Sequence, residues 1–130
     1  MYTLYIHKHA EEDLDQLWIA DPVAAASIDV ILEEIQNDQK LLDALTIENF
    51  GSSKSEDFHV GKWQHFWQRG KDIWKLKIWA LEQTNQRYRV VYAYSVKEHY
   101  YQILAVVPRS FNYDPASEIS KRIIKDYDDL

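Results

Sequence analysis

The sequence predicts an α+β fold: an N-terminal strand, two helices, an antiparallel three-stranded meander that completes a small sheet, and a C-terminal helix. Three observations lead there. Apolar residues recur at helical spacing through the first third of the chain, alternate with period two between Ile73 and Val107, and return to helical spacing near the C-terminus. The 130 residues, 46% of them hydrophobic, suit one domain over 1–130 with a single core.

Each element has a local cause. Tyr2, Leu4 and Ile6 alternate with Thr3, Tyr5 and His7, which predicts a strand. Leu14, Leu17 and Trp18 among Glu11, Glu12, Asp13 and Asp15 predict a helix over 8–19, its early carboxylates complementing the helix dipole. Asp21-Pro22 sets a capping side chain before a proline, and Val23, Ala26, Val30, Ile31 and Ile35 carry a second helix over 22–37. Leu41, Leu42 and Leu45 share one face of a short helical extension over 38–45. Residues 46–57, with Gly51 and several serines, form a loop that opens an aromatic-rich insertion at about 46–71, whose remaining structure the pattern leaves open. Ile73 to Trp79 alternates strictly, with Trp74, Leu76 and Ile78 on one face and Lys75 and Lys77 on the other. A turn at Glu82-Gln83-Thr84-Asn85, a strand over 87–94, a turn near Lys97-Glu98 and a strand over 100–107 complete the meander. Pro108 ends it, and Asp114-Pro115 opens a helix to about Tyr127 with Ile119, Ile123 and Ile124 inward.

Composition narrows the function. The chain has no cysteine, so disulfides and thiolate metal cages are excluded, and no apolar run approaches the length of a membrane span. The N-terminus lacks the pattern of an export signal, so a soluble, cytoplasmic protein without membrane partners is expected. The net charge of −6 argues against a nucleic-acid partner, but its distribution argues for one. Residues 1–60 carry 3 Lys/Arg against 13 Asp/Glu, net −10, whereas residues 61–130 carry 12 against 8, net +4. Within 58–113 the balance is 9 against 3, a local positive field.

That field centres on the strands. Lys75 and Lys77 lie about 7 Å apart on one strand face, a spacing that matches adjacent phosphates. Arg89, in Arg87-Tyr88-Arg89, is brought near Lys77 across the ladder. Like charges opposed across strands repel, and an anion relieves them.

The order of these elements and motifs resembles the RelE toxins of the RelE/ParE superfamily, from Tyr2 to about Lys125. The resemblance rests on Lys75-Leu76-Lys77, Tyr88-Arg89 and the segment Arg109-Ser110-Phe111-Asn112-Tyr113. It implies a type II toxin–antitoxin protein, a metal-independent endoribonuclease that cleaves mRNA, with the ribosome and a cognate antitoxin as partners and no cofactor. Carried over, the catalytic residues are Lys75, Lys77, Arg89, Arg109 and Tyr113. A lysine serves as base, the arginines neutralise the phosphorane-like charge, and Tyr113 stacks on a base or orients the leaving group. Lys62, Arg69, Lys71 and Arg87 are the candidate RNA-binding residues. The acidic first half and the aromatic insertion depart from the family pattern. Two other readings stay open: a ParE-like toxin that blocks DNA gyrase by binding, and a non-catalytic domain that binds nucleic acid or an acidic protein. His59 and His65 are conceivable general bases, and His7-x-His9 lacks a third metal ligand in sequence reach.

Overall fold

The computed structural model describes residues 2–82, 87–95 and 97–130. In chain order the elements are β1 (Thr3–Ile6), α1 (Lys8–Ala20), α2 (Pro22–Gln36), α3 (Gln39–Ala44), β2 (Phe58–Lys62), α4 (Gln64–Trp67), β3 (Ile73–Ile78), α5 (Trp79–Glu82), β4 (Tyr88–Ser95), β5 (Tyr100–Pro108) and α6 (Glu118–Asp128). A 3₁₀ turn at Arg109–Phe111 follows β5. Among the described residues five strands form one sheet in the order β1-β5-β4-β3-β2.

The α+β class is as expected, but the sheet is larger than expected and mixed. β1 runs parallel to β5, while the other pairs are antiparallel. The fifth strand, β2, comes from the segment read as an insertion. Phe58 and Val60 are buried on the helix-covered face, and the strand pairs with β3 along its whole length. Gly51 lets this happen. Its φ of 77° is in the left-handed region, and a Cβ there would meet the Phe58 carbonyl oxygen at 1.9 Å. Of the expected turn at 82–85, Gln83, Thr84 and Asn85 lie outside the described residues, and Glu82 ends α5.

The sheet has two differently covered faces. α1, α2 and α3 close the first, packing Leu14, Leu17, Ile28, Leu32, Ile35 and Leu42 over Trp74, Leu76, Ile78, Val90, Tyr92 and Ile103. Tyr92 donates its hydroxyl to the Leu45 carbonyl at 2.6 Å, which satisfies a polar group in the middle of that core. The buried side of α2 is rotated from the expected stripe. Ala24, Ala25, Ile28, Ile31, Leu32 and Ile35 face inward, while Val23 and Val30 are exposed. Packing against both α1 and the sheet selects the alanine side, where the backbones can approach closely.

α6 covers only part of the second face. Ile123 is buried, with Ile119 and Ile124 partly so, against Trp63, Phe66, Ile73, Val91, Ala93, Ala105 and Val107. The helix begins later than Asp114-Pro115 predicts. Ser117 caps it by accepting from the Ser120 N–H at 3.2 Å, and the Asp114 carbonyl accepts the Ser120 hydroxyl at 2.5 Å. Residues 112–116 are thereby held as a turn. Among the described residues no helix is long and apolar enough to cross a membrane.

Candidate anion-binding cleft

Strand register assembles the site. His59 on β2 pairs with Lys77 on β3, and Lys77 pairs with Arg89 on β4, so three side chains form one row across three strands. In the next row Gly61 pairs with Lys75. Alternation puts this whole set on the second face, continuing past Ile73, Val91 and Ala93 where α6 no longer covers the sheet. Gly61 leaves the room that the Lys75 side chain occupies, since a Cβ there would stand 3.3 Å from Lys75 Cε.

Tyr113 closes the cleft from outside the sheet. Asn112 and Tyr113 both have positive φ, 51° and 52°, so the chain after the 3₁₀ turn doubles back. An asparagine accepts this conformation readily, whereas an aromatic residue is strained there. Packing holds it: the Tyr113 ring lies edge-on to Trp63 and Phe111, and Lys75 Nζ sits 4.5 Å from its centroid. His59, Gly61, Lys75, Lys77, Arg89 and Tyr113 line a cleft of about 100 Å³.

The electrostatics of the cleft are unbalanced. Arg89 is paired with Glu82 at 2.9 Å, but among the described residues neither Lys75 nor Lys77 is paired with a carboxylate. Burial pushes the Lys75 ammonium below its ordinary pKa, and the Arg89 and Lys77 charges push it further. His59 is lowered below its ordinary 6.5 by burial, then by Lys77, Lys75 and Arg89. Burial opposes the Arg89 charge, but the hydrogen bond and charge of Glu82 together with the neighbouring Tyr113 outweigh it and raise the pKa. Tyr113 is pushed up to about 12 by burial, against the opposing pull of Arg89, so it stays protonated. The Tyr113 hydroxyl stands beside the Arg89 guanidinium without a well-directed hydrogen bond. Among the described residues, it and Arg89 Nε and Glu82 Oε2 are buried polar atoms with no hydrogen-bond partner.

Of the five residues put forward as catalytic, the structure brings four together: Lys75, Lys77, Arg89 and Tyr113. Arg109 stays outside. It is exposed at the start of the 3₁₀ turn, where its N–H donates to the Arg87 carbonyl at 2.7 Å. The four RNA-binding candidates do not join the cleft lining. Lys62 falls on the opposite face, 4.1 Å from the Trp67 ring centroid and 3.7 Å from Glu48. Lys71 is paired with Asp128 at 2.8 Å, and Arg69 donates to the His65 carbonyl at 2.6 Å. Arg87 lies just before β4, half-buried.

Sequence reasoning named His59 only as a conceivable general base and did not single out Gly61 or Glu82 for the site. Trp79 stacks on His59 with ring centroids 5.8 Å apart and is anchored by an indole hydrogen bond to the Gly51 carbonyl at 2.9 Å. The signal was the alternation Phe58-His59-Val60, short but strand-like. His65 instead packs edge-on to Phe66, away from the cleft. A larger groove of about 750 Å³ runs between α2 and Trp79, but it is mainly apolar and gathers no comparable set of donors. Comparison with family models, curated proteins and solved structures found no match.

Proposed function

We propose that this chain is a RelE-like toxin of a type II toxin–antitoxin system, a metal-independent endoribonuclease that cleaves mRNA on the ribosome and so stops translation. The observation that carries the reading is the cleft itself: two lysines without carboxylate partners, an arginine and an imidazole poised to stay neutral, gathered on one open sheet face. Such a site suits a phosphodiester flanked by a hydroxyl. The RNA 2′-hydroxyl attacks the adjacent phosphorus, the bond to the next 5′-oxygen breaks, and the products are a 2′,3′-cyclic phosphate and a 5′-hydroxyl. His59, neutral at pH 7, accepts the 2′-hydroxyl proton. Lys75, cationic but with a lowered pKa, returns a proton to the leaving oxygen. Lys77 and Arg89 balance the charge that grows on the phosphoryl oxygens, and the protonated Tyr113 donates a hydrogen bond there. This replaces the lysine base of the sequence reading with His59 and leaves Arg109 without a role in the chemistry. The need for a 2′-hydroxyl makes RNA the substrate.

The cognate antitoxin in this reading covers the same cationic face with carboxylates in place of phosphates. Induced expression of the chain alone, followed by mapping of mRNA 5′ ends, tests the assignment. New ends bearing 5′-hydroxyls are expected within translated regions. Intact transcripts together with blocked DNA supercoiling would instead favour a gyrase-binding toxin, and no growth arrest would favour a non-catalytic binding domain.

A further inference from the structure

A second cluster of chemistry-bearing residues lies away from the cleft, where β1 turns into α1. His7 is the N-cap of α1, His9 is in its first turn, and Asp126 comes from the far end of the chain, on α6. One ligand atom from each lies within 4.8 Å of the other two. Asp126 is 4% exposed, and a carboxylate buried that far needs a cation or a full set of donors. Its Oδ2 has His9 Nδ1 at 2.7 Å and His7 Nδ1 at 3.7 Å. The nearby cation Arg122 is engaged elsewhere, by both guanidinium nitrogens on Asp13 at 3.0 and 2.7 Å.

We infer that His7, His9 and Asp126 form a binding site for a divalent transition metal of the zinc class, which clips the N-terminal strand and helix to the C-terminal helix. Two imidazoles and one carboxylate are a donor set for Zn²⁺, Co²⁺ or Ni²⁺ and a poor one for Mg²⁺ or Ca²⁺, which prefer oxygen. In a tetrahedral site with bonds of roughly 2.0 to 2.1 Å, neighbouring ligand atoms stand about 3.3 Å apart. Two of the separations, 2.7 and 3.7 Å, bracket that value, and all three ligand atoms lie within 4.8 Å of one another. The metal displaces the proton shared by His9 and Asp126. If His7 binds through Nδ1, it gives up its 3.1 Å hydrogen bond from the His9 N–H, which solvent at the helix terminus replaces. Both histidines are partly exposed, which leaves an entry path and a position for water as the remaining ligand.

Titration of the full chain with ZnCl₂ alone, by calorimetry and thermal melting, tests the site. One equivalent is expected to bind, and Tm to rise by roughly 5 °C or more at a hundredfold excess over Kd, reversibly with a chelator. The gain should vanish in His9→Gln and Asp126→Asn and persist in His65→Gln. Should the Asp126 variant not fold, the imidazole ¹⁵N resonances of the wild type decide the matter. Zn²⁺ should shift those of His7 and His9 and leave those of His59, His65 and His99 in place. No binding at millimolar Zn²⁺, or shifts confined to the other histidines, overturns the site.

Discussion

At the scale of residues, the cleft depends on one imidazole kept neutral by the charges that surround it. Burial and the flanking cations hold His59 below 6.5, so the base of the proposed reaction is neutral at pH 7 and is protonated only on acidification. Cleavage should therefore rise with pH through a value below 6.5. It should fall again on the alkaline side, below the ordinary 10.5 of a lysine, as Lys75 loses its proton. A pH–rate profile on a model RNA checks both limbs, and in His59→Gln the acidic limb should disappear together with most of the rate. A rate that keeps the same acidic limb in this variant would exclude His59 as the base. Lys75→Ala with Lys77→Ala should abolish cleavage. It should change stability by less than about 1 kcal/mol, because two unpaired like charges are removed from a partly exposed face. Circular dichroism melts separate that result from unfolding.

At the scale of elements, β2 carries the most information per residue. It supplies His59 to the row with Lys77 and Arg89, and it supplies Gly61, whose missing side chain accommodates Lys75. Gly61 does not need positive φ, so its role is space rather than backbone freedom. Gly61→Val should leave folding stability unchanged or slightly raised, because a β-branched residue suits a strand better than glycine. Cleavage should fall by tenfold or more as the new side chain displaces the Lys75 ammonium. Chemical denaturation and single-turnover cleavage measured on the same variant test the two halves of this expectation. Loss of stability with unchanged turnover would mean that Lys75 tolerates the displacement.

At the scale of the whole molecule, the sheet separates the charges that the sequence distributes unevenly. Glu11, Glu12, Asp15, Glu33 and Glu34 lie exposed on α1 and α2, over the first face, while Lys75, Lys77 and Arg89 occupy the second. In the proposed reading a polyanion is thus repelled from one side and received on the other. One acidic residue of α1 is used differently. β1 is only four residues long, so β5 has an unpaired edge beyond Ile103. Asp13 accepts from the Val106 N–H at 3.0 Å and holds Arg122 of α6, whose guanidinium also reaches the Leu104 carbonyl at 3.3 Å. Three elements meet at that carboxylate. Asp13→Ala should cost about 2 kcal/mol, since it leaves a strand donor and a half-buried guanidinium unpaired. A lower denaturant midpoint with unchanged slope is the expected signature.

The helices over the first face and the strands β3, β4 and β5 were legible in the sequence, because spacing at 3.6 or 2 residues records burial on one side of an element. The pairing of Lys77 with Arg89 followed from alternation and a short connection. Four properties were not legible, for a common reason. The strand character of 58–62, the parallel placement of β1 beside β5, the left-handed turn that swings Tyr113 onto Lys75, and the approach of Asp126 to His7 and His9 all join residues far apart along the chain. Periodicity reports which side of an element is buried, whereas these contacts depend on what that side is buried against. The sequence by itself determined the α+β class, the limits of most elements and a cationic strand face. Only the tertiary structure decided which cations share a cleft, because Lys62 and Lys75 differ in surroundings through the face their strands present and not through their chemistry.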